Sequence, residues 1–240
     1  MILKDLKLRV VNVPKPGVMD KSPEKPDPDQ GVKTQLVLVT AISDTGIEGY
    51  GFGWGTKGGM RLAHTIAEVY RPEVIGEDVE FREKLWQKAH QADRLGGLAS
   101  VNSYGPVDVA LWDLAARRAG RPLYELLGAK RDSIEPYASL PFYDTLPEYV
   151  EAVNDYAKLG YRTFKFHVWG LIEEDSKLVK LIQQTFADSP YHFMIDLEGA
   201  YGFEDALRLG GEMDERLFIW LEGPIDDKLL EQYRELKSRL

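Results

Sequence analysis

The pattern of apolar and polar positions predicts that the first half of the chain is a sheet followed by helices. The predicted strands are rich in Leu and Val and cover residues 2–13, 34–42 and 47–53. The predicted helices have apolar residues on one face and cover residues 60–72, 80–94 and 106–119. Residues 44–46 (Asp-Thr-Gly) fit a hairpin turn between the second and third strands. This order of elements is typical of an α+β domain.

The second half of the chain has a different pattern, in which short apolar runs alternate with amphipathic segments. The predicted strands begin near Ile134, Arg162, Tyr191 and Leu217. The predicted helices cover residues 146–159, 173–187, 203–213 and 226–239. Regular alternation of this kind predicts parallel strands joined by helical crossovers. Both a doubly wound sheet and a (β/α)8 barrel satisfy it.

Two segments of the first half interrupt the periodic pattern. Residues 14–33 contain five prolines among charged residues, which predicts a long exposed loop. Such a loop is either functional or a solvated connector. The glycine-rich run at residues 51–55 (Gly-Phe-Gly-Trp-Gly) lacks the spacing of a dinucleotide-binding motif. We interpret it as a flexible end of the third strand.

The polar residues that end the apolar runs of the second half are the candidates for chemistry. Lys165 and His167 share one face of their strand, because side chains two positions apart point the same way. Asp196 ends the next run and Glu222 the one after it. The carboxyl ends of barrel strands carry the active site, so we expect these side chains to meet there. Two carboxylates suit a hard cation such as Mg²⁺, and a lysine or histidine beside them would act as acid or base.

Each of these residues also has a structural interpretation. Asp196 and Glu222 could cap the helices that follow them. Lys165 could extend from a strand end into solvent, and His167 could be a hydrogen-bonded core residue. Their occurrence at the same position of three successive strands favours the functional interpretation.

Composition excludes several classes of protein. The chain has 240 residues, of which 44% are hydrophobic and 29% charged, as in ordinary globular proteins. The formal net charge of −9 argues against a nucleic-acid partner. The absence of cysteine excludes disulfides and zinc–thiolate sites. Because the N-terminus carries early charges and the apolar runs are short, we expect a cytoplasmic protein with no membrane segment.

Several motifs, taken together, resemble those of a known family. They are residues 105–114 (GPVDVALWDL), residues 122–128 (PLYELLG), Lys165-Phe166-His167, Asp196 and residues 220–224 (WLEGP). In this combination the chain resembles the enolase superfamily, in its mandelate-racemase and acid-sugar-dehydratase branch. The resemblance implies an α+β capping domain over residues 1–130. It also implies an α/β domain over residues 131–240 that forms the first four β-α units of a partial (β/α)8 TIM-type barrel.

The resemblance also implies roles for the candidate residues. Asp196 and Glu222 would be the first two Mg²⁺ ligands, and Lys165 and His167 would occupy the Lys-x-Lys base motif. The family reaction removes the proton α to a carboxylate, and Mg²⁺ stabilises the resulting enediolate. We favour His167 as the base, because a neutral imidazole accepts a proton near neutral pH. Lys165 would then bind the substrate carboxylate. The roles could be reversed, since burial can lower the pKa of a lysine.

The expected substrate is a small hydroxy-carboxylate. We expect Asp20, Trp54 and Glu198 to contact it, with the long loop and the region of Trp54 folding over the barrel mouth. The favoured reaction is dehydration of a sugar acid by a lyase. Racemisation or epimerisation of a hydroxy acid by an isomerase is the alternative.

The chain also departs from the pattern of the family. His167 stands where a second lysine is usual, Glu198 where many relatives have asparagine, and Gly223 where an acidic residue is common. The third metal carboxylate, the histidine–aspartate dyad and the closing strands of a full barrel are absent. We therefore expect the chain alone to be an inactive fragment that pairs with a second copy or with a separate C-terminal half-barrel. The side chains expected to face the missing half are Phe164, Phe166, Phe193, Ile195, Phe218 and Trp220.

Overall fold

The structure, a computed structural model, describes residues 1–14, 33–54, 58–96 and 99–240. These residues form two compact units, one extending to Asp132 and the other covering Ser133–Leu240. No helix within the described ranges combines the length and the apolar character needed to cross a membrane.

The first unit contains a three-stranded antiparallel sheet. Its strands, in spatial order, are β1 (Leu3–Pro14), β2 (Lys33–Ser43) and β3 (Glu48–Trp54). The predicted hairpin turn between β2 and β3 is confirmed. The N–H of Gly46 donates to the carbonyl of Ser43 over 3.1 Å, and Gly46 has a φ of 82°, which glycine adopts without strain.

Helices follow the sheet of the first unit, as predicted. They are α1 (Gly59–Thr65), α2 (Arg71–Val74), α3 (Arg82–Gly96), α4 (Gly105–Ala119) and α5 (Leu123–Leu126). A π-helical turn at Ile66–Tyr70 joins α1 to α2. Proline lies in the first turn of α4, and Gly120 ends that helix in the left-handed conformation with a φ of 62°.

The glycines of β3 serve close packing, so the interpretation of Gly51 and Gly53 as a flexible strand end is wrong, and Gly55 lies outside the described residues. Gly49, Gly51 and Gly53 alternate with exposed residues and point toward α4. A Cβ atom at Gly51 would lie 2.2 Å from the carbonyl oxygen of Pro106, and one at Gly49 would lie 2.3 Å from that of Ala110. The helix backbone therefore packs directly on the strand backbone, which only glycine permits.

The second unit alternates strands and helices. Its strands are β4 (Ala138–Leu140), β5 (Thr163–His167), β6 (His192–Asp196) and β7 (Phe218–Glu222). Its helices are α6 (Leu146–Lys158), α7 (Ile172–Phe186), α8 (Phe203–Glu212) and α9 (Leu230–Arg239). The strands are parallel and lie in the order β4-β5-β6-β7, which is the arrangement of consecutive barrel strands.

Two predicted boundaries in this unit are wrong. The first strand does not begin near Ile134, which is 77% exposed, and its ladder starts at Ala138. The last helix begins at Leu230 rather than residue 226. In both cases the residues just before the strand or helix form irregular chain. Their apolar or charged composition alone does not distinguish them from a strand or a helix.

The aromatic residues of β5 and β6 face the helices, which corrects the expectation that they face a missing half-barrel. Phe164, Phe166 and Phe193 are fully buried, and their rings stack with centroids 5.6–5.9 Å apart. They belong to one core with residues of α6 and α7, and Ile195 and Phe218 belong to it as well. Strand alternation places them opposite Lys165 and His167. Trp220 differs from the other five residues expected to face a missing half-barrel, because it is 57% exposed.

Candidate active site

Three parallel strands bring the candidate residues together at the carboxyl end of the sheet. In the strand register His167 lies beside Asp196, and Asp196 lies beside Glu222, so the three residues form a row across the carboxyl ends of β5, β6 and β7. Lys165 lies two positions earlier on β5, on the same face as His167. The structure therefore brings together the four residues predicted to act in catalysis and metal binding.

Lys165 lies between the two carboxylates. Its Nζ donates to Asp196 Oδ2 over 2.9 Å and to Glu222 Oε2 over 3.0 Å. The side chains of Lys165 and Asp196 are about nine-tenths buried, whereas that of Glu222 is 42% exposed. Burial lowers the pKa of Lys165, but the hydrogen bonds and charges of the two carboxylates outweigh it and raise the pKa to about 12. Lys165 does not extend into solvent.

His167 is held by contacts on both sides of its ring. Its Nδ1 lies 2.7 Å from the carbonyl oxygen of Leu140, and its Nε2 lies 3.3 Å from Asp196 Oδ2. A carbonyl only accepts, so the hydrogen bond assigns the proton to Nδ1. In the neutral form of this tautomer Nε2 carries the lone pair, and Nε2 is the ring nitrogen that faces Asp196.

Neither carboxylate caps a helix, so that interpretation is wrong. The residues that precede the first turns of α8 and α9 are Gly202 and Leu229. Asp196 instead accepts the backbone N–H of Glu198 at Oδ1 over 3.2 Å. This bond leaves Oδ2 to face Lys165 and His167.

The two carboxylates fit a divalent cation. Asp196 Oδ2 and Glu222 Oε2 converge on one positively charged atom, the Nζ of Lys165. Mg²⁺ is commonly held by one or two carboxylates together with water or substrate oxygens. The described ranges contain no group of three or more His, Asp or Glu side chains arranged around a metal position.

An acidic cleft of about 910 Å³ opens beside the row. Asp196, Glu222 and Glu198 line it, together with Asp226 and Asp227. Among the described residues Glu198 alone combines a side chain with a positive φ, which is 49°. Sequence reasoning placed Glu198 here but missed Asp226 and Asp227. The signal that could have found them is their position just after the strand that ends in Glu222.

A buried aspartate, also missed from the sequence, joins two loops beside the site. Asp175 in the first turn of α7 accepts the N–H of Trp169 over 3.1 Å and that of Leu171 over 2.9 Å. It also accepts the hydroxyl of Tyr201, which follows β6, over 2.6 Å. A carboxylate in the first turn of a helix is usually solvated, so the burial of Asp175 could not be predicted from its position in the sequence.

The other two predicted substrate contacts are Asp20 and Trp54. Asp20 lies outside the described residues. Trp54 ends β3 in the first unit and is 64% exposed. It lines a cleft of about 680 Å³ with Phe52, Arg61 and Asn102, all of the same unit. The role of Trp54 in substrate binding stays a prediction.

Comparison with protein families matches both parts of the chain. Residues 8–128 match the mandelate racemase/muconate lactonizing enzyme N-terminal domain. Residues 148–240 match the enolase C-terminal domain-like family. The first match covers half of the chain. The second contains all four candidate residues, which are Lys165, His167, Asp196 and Glu222.

Individual relatives agree with these matches. The chain is 30% identical over 210 residues to L-talarate/galactarate dehydratase of Salmonella typhimurium, covering 85% of the chain and 52% of that protein. It is 29% identical over 216 residues to arabinonate dehydratase of Saccharolobus solfataricus, covering 86% and 56% respectively. The chain thus spans about half the length of the curated relatives it matches.

A solved structure extends the likeness to the fold. The structure of D-glucarate dehydratase from Agrobacterium tumefaciens, complexed with magnesium, matches with a TM-score of 0.86 and 28% identity over 100% of this chain and 65% of that one. The architecture is that of an N-terminal capping domain and a fragment of a C-terminal TIM barrel. The chain therefore belongs to the mandelate racemase/muconate lactonizing enzyme family of the enolase superfamily.

Proposed function

We propose that the protein, with its barrel complete, removes the proton α to the carboxylate of a hydroxy acid with the help of Mg²⁺. We further propose that it is a lyase that dehydrates a sugar acid. The observation that carries this proposal is the row of two carboxylates with a lysine and a histidine at the ends of three neighbouring strands. The names of two relatives, L-talarate/galactarate dehydratase and arabinonate dehydratase, support the choice of reaction.

His167 is the proposed base. The hydrogen bond of Nδ1 to the Leu140 carbonyl fixes the ring and leaves Nε2 to accept the substrate proton. Once Nε2 is protonated, it can donate to Asp196 Oδ2, which lies 3.3 Å away. The carboxylate thereby stabilises the imidazolium that proton abstraction creates.

Lys165 is the proposed partner of the substrate carboxylate. Its ammonium is the cationic group within hydrogen-bonding distance of both rim carboxylates. An ammonium carries three donors, so it can bind a substrate oxygen in addition to a protein carboxylate. Glu198 lines the same cleft and is proposed to bind a substrate hydroxyl, as are Asp20 and Trp54.

Asp196 and Glu222 are the proposed ligands of Mg²⁺. When bound, the cation would stabilise the negative charge that develops on the substrate carboxylate as the α-proton leaves. The two ligands contribute a formal charge of −2, which matches a divalent cation. The distance of 3.3 Å between Asp196 Oδ2 and His167 Nε2 supports a base that lies next to the bound cation.

The test is an assay of the complete barrel with Mg²⁺ and a panel of sugar acids in D2O. We expect a 2-keto acid product that carries deuterium at the neighbouring β-carbon by NMR, because the enol left by loss of the β-hydroxyl takes up a solvent proton there. Deuterium exchange without loss of water would instead favour the racemase alternative. His167→Asn and Lys165→Ala should each lower the rate by about 100-fold or more. His64→Asn, in α1, is the control. Undiminished product formation and deuterium incorporation in both site variants would contradict the proposal.

A further inference from the structure

Lys165 holds the same two carboxylate oxygens that a divalent cation would need. We propose that the Lys165 ammonium and the divalent cation compete for one position between Asp196 and Glu222, so that cation binding displaces Lys165 from its ion pairs. This inference rests on the proposed metal site. It adds that the site carries its own internal cation when no metal is bound.

The distances place the ammonium at a cation position. Nζ lies 2.9 Å from Asp196 Oδ2 and 3.0 Å from Glu222 Oε2, so it is nearly equidistant from the two oxygens. A Mg²⁺ ion bound by the same two oxygens would lie about 2.0–2.1 Å from each of them. On the side of these oxygens that faces Nζ, the ion and the ammonium would be in contact, and no anion would lie between them.

Asp196 has little freedom to offer the cation another oxygen. Its Oδ1 accepts the backbone N–H of Glu198, which turns Oδ2 toward Lys165 and His167. Glu222 is more exposed than Asp196 and can move more freely. The competition therefore centres on Asp196 Oδ2, which accepts from Lys165 and lies nearest to His167 Nε2.

Burial makes it unfavourable for both cations to stay. The side chains of Lys165 and Asp196 are about nine-tenths buried, so solvent screens the repulsion between the ammonium and a bound metal only weakly. The ring of Tyr137, whose centroid lies 5.9 Å from Nζ, offers the displaced ammonium an aromatic face.

Displacement gives the site an order of binding. Before the cation binds, two donors of the Lys165 ammonium are used by the rim carboxylates. Afterwards those donors become available to a substrate carboxylate. Cation binding would thus prepare Lys165 for the substrate, and substrate would bind better after the metal than before it.

The first test is calorimetric titration of the chain with Mg²⁺ alone. Lys165→Met removes the ammonium and keeps the apolar stem. It should bind Mg²⁺ about tenfold more tightly than the wild-type chain, because two ion pairs no longer have to be broken. Lys177→Met is the control, since Lys177 forms an exposed ion pair with Glu174 over 2.7 Å elsewhere on the unit. Its affinity for Mg²⁺ should be that of wild type.

The second test uses the wild-type chain, so it does not depend on the folding of a variant. Lysines are acetylated with acetic anhydride, with and without saturating Mg²⁺, and each site is quantified by mass spectrometry. Mg²⁺ should increase the labelling of Lys165 severalfold and leave that of Lys177 unchanged. Unchanged or reduced labelling of Lys165 would overturn the inference.

The outcomes separate this inference from the proposed metal site. Equal Mg²⁺ affinity of wild type and Lys165→Met would overturn the competition and leave the metal site standing. Binding that Asp196→Asn does not weaken would overturn both the metal site and the competition. Absence of binding in both wild type and Lys165→Met would do the same. Mg²⁺ binding by Lys165→Met alone would support the competition in its strongest form.

Discussion

Tyr201 donates its hydroxyl to Asp175 over 2.6 Å, and both side chains are buried. Asp175 also accepts two backbone N–H groups from the loop that follows β5, while Tyr201 belongs to the loop that follows β6. One carboxylate therefore ties together the two loops that leave the strands of His167 and Asp196. By joining these loops, the contact contributes to the rigidity of the candidate site.

The Asp175–Tyr201 hydrogen bond predicts a loss of stability in Tyr201→Phe. The substitution keeps the ring and removes one donor to a buried carboxylate, which should lower the free energy of unfolding by about 1.5–3 kcal/mol. Urea unfolding followed by circular dichroism measures it. Tyr156→Phe, on the exposed part of α6, is the control and should change stability by less than about 0.5 kcal/mol. Equal effects of the two substitutions would contradict the prediction.

Asp175 also predicts a dependence of stability on pH. Burial raises the pKa of Asp175 above its ordinary value of 3.8, although its hydrogen bonds to Tyr201, Trp169 and Leu171 oppose the shift. The folded state therefore binds the proton more tightly than the unfolded state. This stabilisation is fully present below the unfolded pKa and is lost as the pH rises through the folded pKa.

The comparison that isolates this effect is wild type against Asp175→Asn. As the pH rises from below 3.8 through the raised pKa, the unfolding free energy of wild type should fall relative to that of the variant. Urea unfolding at closely spaced pH values measures the difference between the two. Parallel pH profiles would show that Asp175 has the same pKa in the folded and unfolded states.

The position of the site residues could be predicted because it depends on local rules. Strand alternation placed Lys165 and His167 on one face, and the repeat of β-α units placed Asp196 and Glu222 at the same end of the next two strands. The bridge that Lys165 makes between the two carboxylates could not be predicted. It requires the register between three strands, which the sequence of one strand does not contain.

The direction of the aromatic side chains was predicted wrongly for a related reason. Parallel barrel strands are covered on both faces, so their sequences are continuous apolar runs without clear alternation. The apolar residues of such a strand therefore do not by themselves indicate which face is covered by helices. The alternation that placed Lys165 toward the site also implied that Phe164 and Phe166 face the helices, as the structure has them.

The backbone of Glu198 predicts an unusual response to glycine. Its φ of 49° is strained for any residue with a Cβ, by about 1–2 kcal/mol. Glu198→Gly should therefore be about as stable as Glu198→Ala or up to about 1 kcal/mol more stable, after the extra flexibility of unfolded glycine is counted. Thermal unfolding of the two variants measures the difference.

Glu215 provides the matched control for Glu198. It is exposed in the same unit and, unlike Glu198, does not have a positive φ. The Glu215→Gly variant should be less stable than the Glu215→Ala variant by about 0.4–1 kcal/mol. If glycine were equally unfavourable at both positions, the strain at Glu198 would be ruled out.

The packing of β3 against α4 predicts a severe effect of Gly51→Ala. The new Cβ would lie 2.2 Å from the carbonyl oxygen of Pro106, and neither backbone can move without separating the strand from the helix. We expect a loss of about 3 kcal/mol or more. Gly105→Ala is the control, because a Cβ at this first residue of α4 meets nothing within 4 Å. Similar melting temperatures for the two variants would contradict the close packing.

The free edge of β7 predicts that this 240-residue chain associates in solution. Within the described part of the chain β7 pairs with β6 alone, so its other edge presents unpaired N–H and C=O groups. Ile219 and Trp220 on this strand are 52% and 57% exposed. A second copy, or a separate C-terminal half-barrel, would cover both the edge and these side chains.

Light scattering at several concentrations tests the association, and we expect the apparent mass of wild type to rise with concentration. Ile219→Lys should suppress that rise, because a charge on an edge strand opposes pairing with another chain. Leu159→Lys is the control, since Leu159 is 75% exposed at the end of α6, away from β7. The buried phenylalanines of β5 and β6 contribute nothing to this surface, so the association should be weak and reversible. A monodisperse monomer at every concentration would show that the edge of β7 does not pair.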